Sequence, residues 1–132
     1  MKIIITQWGL DLYLNLAKDR VFSKDEYWNG IRPDIFLLLN YSNEPKFNNN
    51  KFWSVAEDSS GNIIPYGFKM KWHQVGNGKV QLRLPIILDQ DAYLCGAYVK
   101  RDEKFEKRRL AIFKTHAQLI LQNNYKKCGI LI

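Results

Sequence analysis

An α+β fold is expected of this 132-residue chain, on three features of its sequence. Tyr66–Val75 alternates, with Phe68, Met70 and Trp72 on one side and Lys69, Lys71 and His73 on the other, the period-two mark of a half-buried strand. Gly76-Asn77-Gly78 follows at once, and Gly and Asn tolerate the positive φ that a hairpin turn requires. Near the C-terminus Leu110, Phe113, Ala117 and Ile120 recur at helical spacing behind a charge-dense run. The expected order is an N-terminal strand and helices, then an antiparallel three-strand meander, then a C-terminal helix.

Each element has its own local reason. Lys2–Thr6 is β-branched and predicts a short first strand. Gln7–Lys18 fits two periods. Leu10, Tyr13, Leu14 and Ala17 follow helical spacing, while Leu10, Leu12, Leu14 and Leu16 alternate; length and leucine content favour helix. Ser23-Lys24-Asp25-Glu26 is a capping box: the Ser23 hydroxyl can accept from the Glu26 amide, and the Glu26 carboxylate can accept from the Ser23 amide. A short helix should start there and stop near Gly30, with Pro33 soon after. Asp34–Asn40 is apolar in its middle and suits a further helical turn or two. Tyr41–Lys51, rich in Asn and holding Pro45, reads as a mobile loop, Lys51–Ala56 as a strand, and Glu57–Asn62 as a turn.

The meander comprises Tyr66–Val75, Lys79–Leu88 and Ala92–Val99, with Asp89-Gln90-Asp91 as the second tight connection. Pro85 lacks a ladder donor, so its strand should be an edge there or carry a bulge. Ala92–Val99 is apolar on both faces and should be central.

The length suits one domain over residues 1–132, large enough to bury a core without staples. The net charge of +7 points to a negatively charged partner, nucleic acid first among them. Cys95 and Cys128 form no disulfide framework or zinc spacing, and His73 and His116 are too isolated for a metal site. There is no Gly-rich phosphate loop, no Gly-x-Ser-x-Gly elbow and no twin-carboxylate pattern. No cofactor is therefore expected. The apolar run after Met1-Lys2 is too short for a signal peptide or a membrane span, so the expected setting is the reducing cytoplasm.

Two basic clusters stand out. Lys69, Lys71 and His73 share a strand face, which Arg83 joins if the next strand pairs suitably. Lys100, Arg101, Lys104, Lys107, Arg108 and Arg109 follow the third strand. In a meander both clusters can line one groove. Lys and Arg neutralise phosphates, and Arg can hold one through two parallel hydrogen bonds. RNA cleavage by its own 2′-hydroxyl needs a base, cations around the phosphorane and an acid for the leaving oxygen. A Lys crowded by cations has a lowered pKa and suits the base; Tyr, His or Arg suit the other roles. Each feature also has a plainer reading. The Lys-bearing face is also what a half-buried strand shows to water. The run after Val99 includes Asp102, Glu103 and Glu106 and matches a solvated helix start. Tyr93, Tyr98 and the four tryptophans, Trp8, Trp28, Trp53 and Trp72, read as packing residues.

The order of strand, helices, meander and basic helix, together with Tyr93-Leu94-Cys95-Gly96-Ala97-Tyr98-Val99-Lys100-Arg101-Asp102-Glu103-Lys104, resembles the RelE/ParE toxin superfamily. Gly30-Ile31-Arg32-Pro33-Asp34-Ile35-Phe36 is similar to a segment of its YafO-type members, and the resemblance spans about Gly30 to Leu121. It implies the toxin of a toxin–antitoxin pair: a ribosome-dependent messenger RNA endoribonuclease needing no metal, with an antitoxin that is acidic where it docks. Mapped onto this sequence, it implies a catalytic set of Lys69, Lys71, Arg83, Lys100 and Arg101, to which His73 is added. Lys69 or Lys71 is then the base, Arg83 and Lys100 steady the phosphorane, and His73 or Arg101 assists the leaving group. The same resemblance admits a rival, a ParE-like toxin that inhibits a DNA topoisomerase by binding and cuts nothing.

Overall fold

Strand β4 (Val80–Asp89) is the spine of the molecule, and its neighbours decide where everything else lies. In the computed structural model, which describes residues 1–132, β4 is joined by β1 (Ile3–Thr6), β2 (Trp53–Glu57), β3 (Ile63–Gln74), β5 (Asp91–Leu94), β6 (Tyr98–Val99) and β7 (Lys127–Ile130). The sheet order is β2-β3-β4-β5-β1-β7, with β6 also paired to β4. All pairings are antiparallel except β1 with β5, which is parallel. The chain is thus a mixed α+β fold with a mostly antiparallel sheet and a C-terminal helix, Glu103–Leu121.

The hairpin between β3 and β4 is held by chemistry specific to Gly76. Gly76 and Asn77 have φ of 62° and 60°. A Cβ on Gly76 would sit 2.7 Å from the Val21 carbonyl oxygen, so the turn requires glycine on two counts. The Gly76 amide donates to Glu26, whose carboxylate also closes the Ser23 capping box. The expected helix start is therefore present and tied to the hairpin.

The third meander strand is interrupted. Ile86 pairs with Leu94 but Arg83 pairs with Tyr98, so three residues, Cys95–Ala97, face the two residues Leu84 and Pro85. This bulge is where Pro85 lacks its donor. The Pro85 carbonyl accepts from Cys95 at 3.0 Å, so its imide nitrogen faces the same side, where the ladder is already broken. Of the two expectations for Pro85, the edge fails, since β4 is central, and the bulge is present but its extra residue lies on the opposite strand, between β5 and β6. Ala92–Leu94 is central as expected, lying between β4 and β1.

The N-terminal region departs from expectation. Gln7–Lys18 is not one helix: it holds turns and a single wide π-helical turn, Leu12–Leu16, with Leu12 buried and Leu14 exposed. The competing alternation weakens any single helical face. The helical stretch that starts after Ser23 does not stop at Gly30. It runs through a π-helical turn, Tyr27–Ile31, into Arg32–Phe36 and a 3₁₀ turn, Leu37–Asn40. Arg32 donates to Tyr27, five residues back, and Pro33 falls in the first turn of the next segment, where a missing donor costs little. The loop after Tyr41 is anchored, not free: Phe47 is buried, with its ring 4.9 Å from both Tyr41 and Trp53. β7 is a strand with no expected counterpart; it pairs with β1 at the sheet edge.

Both faces of the sheet are covered, by different elements. Met70, Trp72, Leu82, Leu84, Ile86, Ala92 and Leu94 pack under the N-terminal helical stretch with Leu12, Ile31, Ile35 and Leu38. Ile64, Ile87 and Cys95 pack under the long helix through Leu110, Phe113, Ala117 and Ile120, the stripe its spacing predicts. Burying a side chain such as Phe113 contributes roughly 1.5–3 kcal/mol, which fixes the helix on this face. Its apolar cluster includes no residue of β3 beyond Ile64, of β6, or of β4 ahead of Ile87, so that end of the sheet face is left to polar side chains. No helix is long and apolar enough to cross a membrane.

Candidate functional site

Register brings the polar face together. Lys71 stands opposite Arg83, Lys69 opposite Pro85, and Tyr98 of β6 opposite Arg83 on its other side. Residues directly opposite share a face, so Lys69, Lys71, Arg83 and Tyr98 converge where the long helix begins. Asp102 caps that helix, accepting from the Phe105 amide at 2.7 Å. The cap sets Glu106 over the cluster: Tyr98 donates to Glu106 at 2.9 Å, and the Lys69 ammonium is 3.8 Å from the same carboxylate. Side-chain exposures of 15% and 16% for Lys69 and Glu106 shelter this contact from solvent.

Like charges opposite one another in a sheet are destabilising, and burial makes them more so. Arg83 is only 4% exposed; its guanidinium donates to the Leu82 carbonyl and the Gln81 side chain, not to a carboxylate. Lys71 donates to the Asn50 carbonyl at 2.8 Å. Burial, then the neighbouring Lys69 and Arg83 charges, push the Lys71 ammonium below the ordinary lysine range, with Lys100 adding to this and Glu106 opposing it. Burial also lowers Arg83, against the pull of Glu106 and Tyr98. Burial first, then the Glu106 charge, raise the Tyr98 phenol, so Tyr98 stays a neutral donor. The cluster therefore has four cations, Lys69, Lys71, Arg83 and Lys100, around one carboxylate, Glu106.

The six residues singled out from sequence divide. Lys69, Lys71 and Arg83 come together, and Lys100 is near enough for its charge to act on Lys71. His73 is two residues beyond Lys71 on the same face, with its ring bonded to the Lys51 carbonyl. Arg101 lies elsewhere: its guanidinium stacks on Phe105 at 4.7 Å, in a depression shared with Asp11, Asn15 and Arg109. The rest of the second basic run also disperses, with Lys107 paired to Glu103 and Arg109 aimed at the Gly96 carbonyl. One turn of helix spreads those residues around its circumference, so they do not line one groove.

Two members of the site were not anticipated. Glu106 lies in a mixed-charge run with no periodic signal to single it out. Tyr98 reads as packing, and at 3% exposure it is buried, yet its hydroxyl ends at Glu106. Among the tryptophans, Trp53 and Trp72 are core, but Trp28 is 57% exposed, with Arg32 over its ring. No group of three or more His, Cys, Asp or Glu side chains assembles as metal ligands would. No family model, curated protein or solved structure matches the chain.

Proposed function

We propose that this chain is a RelE/ParE-type toxin of the YafO kind, a messenger RNA endoribonuclease that works on the ribosome and is neutralised by an antitoxin acidic at its docking segment. The observation that carries the reading is the Lys71–Arg83 pair: two like charges opposite each other, partly buried, with Lys69 and Lys100 adjoining and a single carboxylate among them. Stability alone disfavours that arrangement, while a phosphodiester would complement it.

In this reading Lys71, its pKa lowered by burial and the neighbouring cations, takes the proton from the RNA 2′-hydroxyl. The 2′-oxygen attacks phosphorus, the bond to the 5′-oxygen breaks, and the products are a 2′,3′-cyclic phosphate and a 5′-hydroxyl. Lys69 and Lys100 touch the phosphorane oxygens. Arg83, being buried, acts on them through its field and not as a forked ligand. His73 protonates the leaving oxygen; Arg101, turned to another depression, has no part in the step. Glu106, held by Tyr98, fixes Lys69. The ribosome orients the message, which supplies what a sparse open site lacks.

The test is purified protein with message-programmed ribosomes. Cleavage by the wild-type chain and not by Lys71→Ala, with products ending in a cyclic phosphate, supports the reading. Ribosomes and message left intact, with topoisomerase inhibited instead, would replace it with the ParE-like alternative.

A further inference from the structure

Two depressions open from the cationic cluster, and they differ in charge. One, about 800 Å³, runs between the β2–β3 turn and the long helix and sets Glu57, Asp58, Glu103 and Glu106 against Lys69 and Lys107. The other, about 370 Å³, lies beside the start of β2 and is lined by Lys46, Lys51, Lys71 and His73, with Asp34 as its one carboxylate. Both Asp34 oxygens are occupied, by the Lys46 ammonium at 2.7 Å and by the Trp72 indole at 2.8 Å. The Lys51 ammonium has no ion-pair partner.

A polyanion leaving the cluster meets carboxylates on one side and cations on the other. Along β3, Lys69, Lys71 and His73 recur every second residue, a step of about 7 Å, of the order of the spacing between phosphates in an extended strand. Phe52 and Trp72 line the second depression but are 5% and 8% exposed, so their faces are not open for bases to stack on. Its charged chemistry is ammonium and imidazole, which suits phosphates, with the Asn49 and Gln74 amides beside it.

From this we infer that the Lys46–Lys51–His73 depression is a track for the sugar–phosphate backbone of single-stranded RNA beside the scissile bond. The inference rests on the nuclease reading above and adds the direction in which the strand leaves the site. The groove bearing Glu57 and Glu103 is not on the path.

The test uses the full chain and a fluorescent single-stranded 2′-O-methyl RNA oligonucleotide, which lacks the attacking hydroxyl, with anisotropy read across a salt series. Each phosphate contact contributes about 0.7 to the slope of log affinity against log salt. Lys51→Glu, which leaves the Lys46–Asp34 pair intact, should lower the slope by about 0.7, and Lys46→Glu/Lys51→Glu by at least that and at most about 1.4, since Lys46 is shared with Asp34. Lys126→Glu/Lys127→Glu makes the same change in net charge at the opposite edge of the sheet and should leave the slope unchanged. Circular dichroism melting confirms that each variant is folded. Wild-type binding with an unchanged slope in Lys51→Glu, or an equal loss in the β7-edge variant, overturns the track and leaves the nuclease reading standing. No salt-dependent binding by the wild-type chain overturns the track, while the nuclease reading, in which the ribosome orients the message, is decided by the cleavage assay on programmed ribosomes.

Discussion

Lys71 of β3 and Arg83 of β4 face each other across the sheet as a directly opposed pair, and neither donates to a carboxylate. A pair like this lowers stability, so removing one charge while keeping its volume should raise it. Lys71→Met is expected to stabilise the fold by about 0.5–1 kcal/mol, a rise of a few degrees in melting temperature, while abolishing RNA cleavage. Thermal denaturation beside a cleavage assay checks both halves. A destabilised Lys71→Met would show that the pair is structural.

The lowered pKa of Lys71 has a stability consequence of fixed sign. The folded value lies below the unfolded one, near the ordinary lysine value of about 10.4. Between the two the unfolded chain binds more protons, so this group makes stability rise with pH through that window. Below the folded value the cost of the buried charge is fully present; above the unfolded value it is gone. Cleavage needs Lys71 without its extra proton and His73 with one, so its rate should pass through a maximum with pH. The buried Tyr13, Tyr93 and Tyr98 phenols, raised in the fold, pull stability down in the same window, so chemical denaturation as a function of pH should show the Lys71 contribution as a more positive slope in wild type than in Lys71→Met.

Tyr98 and Glu106 act as a unit. Tyr98→Phe removes a hydrogen bond to a charged group and should cost on the order of 1.5 kcal/mol. Glu106→Gln also takes away the one carboxylate beside Lys69. Because the two side chains share one bond, the double variant should be less destabilised than the sum of the singles, by about 0.5 kcal/mol or more. Additive effects in denaturant melts would contradict a working contact.

Gly76 offers a test of the fold apart from the site. Gly76→Ala places a side chain on a left-handed residue, about 1–2 kcal/mol unfavourable, and presses it against the Val21 carbonyl. A loss of at least that size is expected in urea denaturation. Asn77→Gly, at a position with the same left-handed φ, should be neutral or mildly stabilising.

What the sequence discloses follows how local each cause is. The capping box at Ser23, the turn at Gly76-Asn77-Gly78 and the stripe Leu110–Ile120 are set by neighbours a few residues apart, and all three are legible in the residues themselves. Pro85 announces a missing donor, but not that the extra residue beside it lies on the opposite strand. The helix expected over Gln7–Lys18 fails because two periods compete there. The run past Gly30 is hidden because a π-turn can carry a chain across Pro33. In the site, Lys69, Lys71 and Arg83 are legible because strand alternation and one hairpin fix their register. Tyr98, Glu106 and the displacement of Arg101 are not, since they depend on a one-residue bulge and on the direction in which the long helix leaves β6.

Whether the chain is a ribosome-dependent nuclease is decided by a map of messenger RNA 5′ ends in a bacterial host after its induction, with Lys71→Ala and a translation block alongside. New ends inside translated codons, lost in the variant and lost when translation is blocked, are expected. Growth arrest with every message intact would rule the nuclease out.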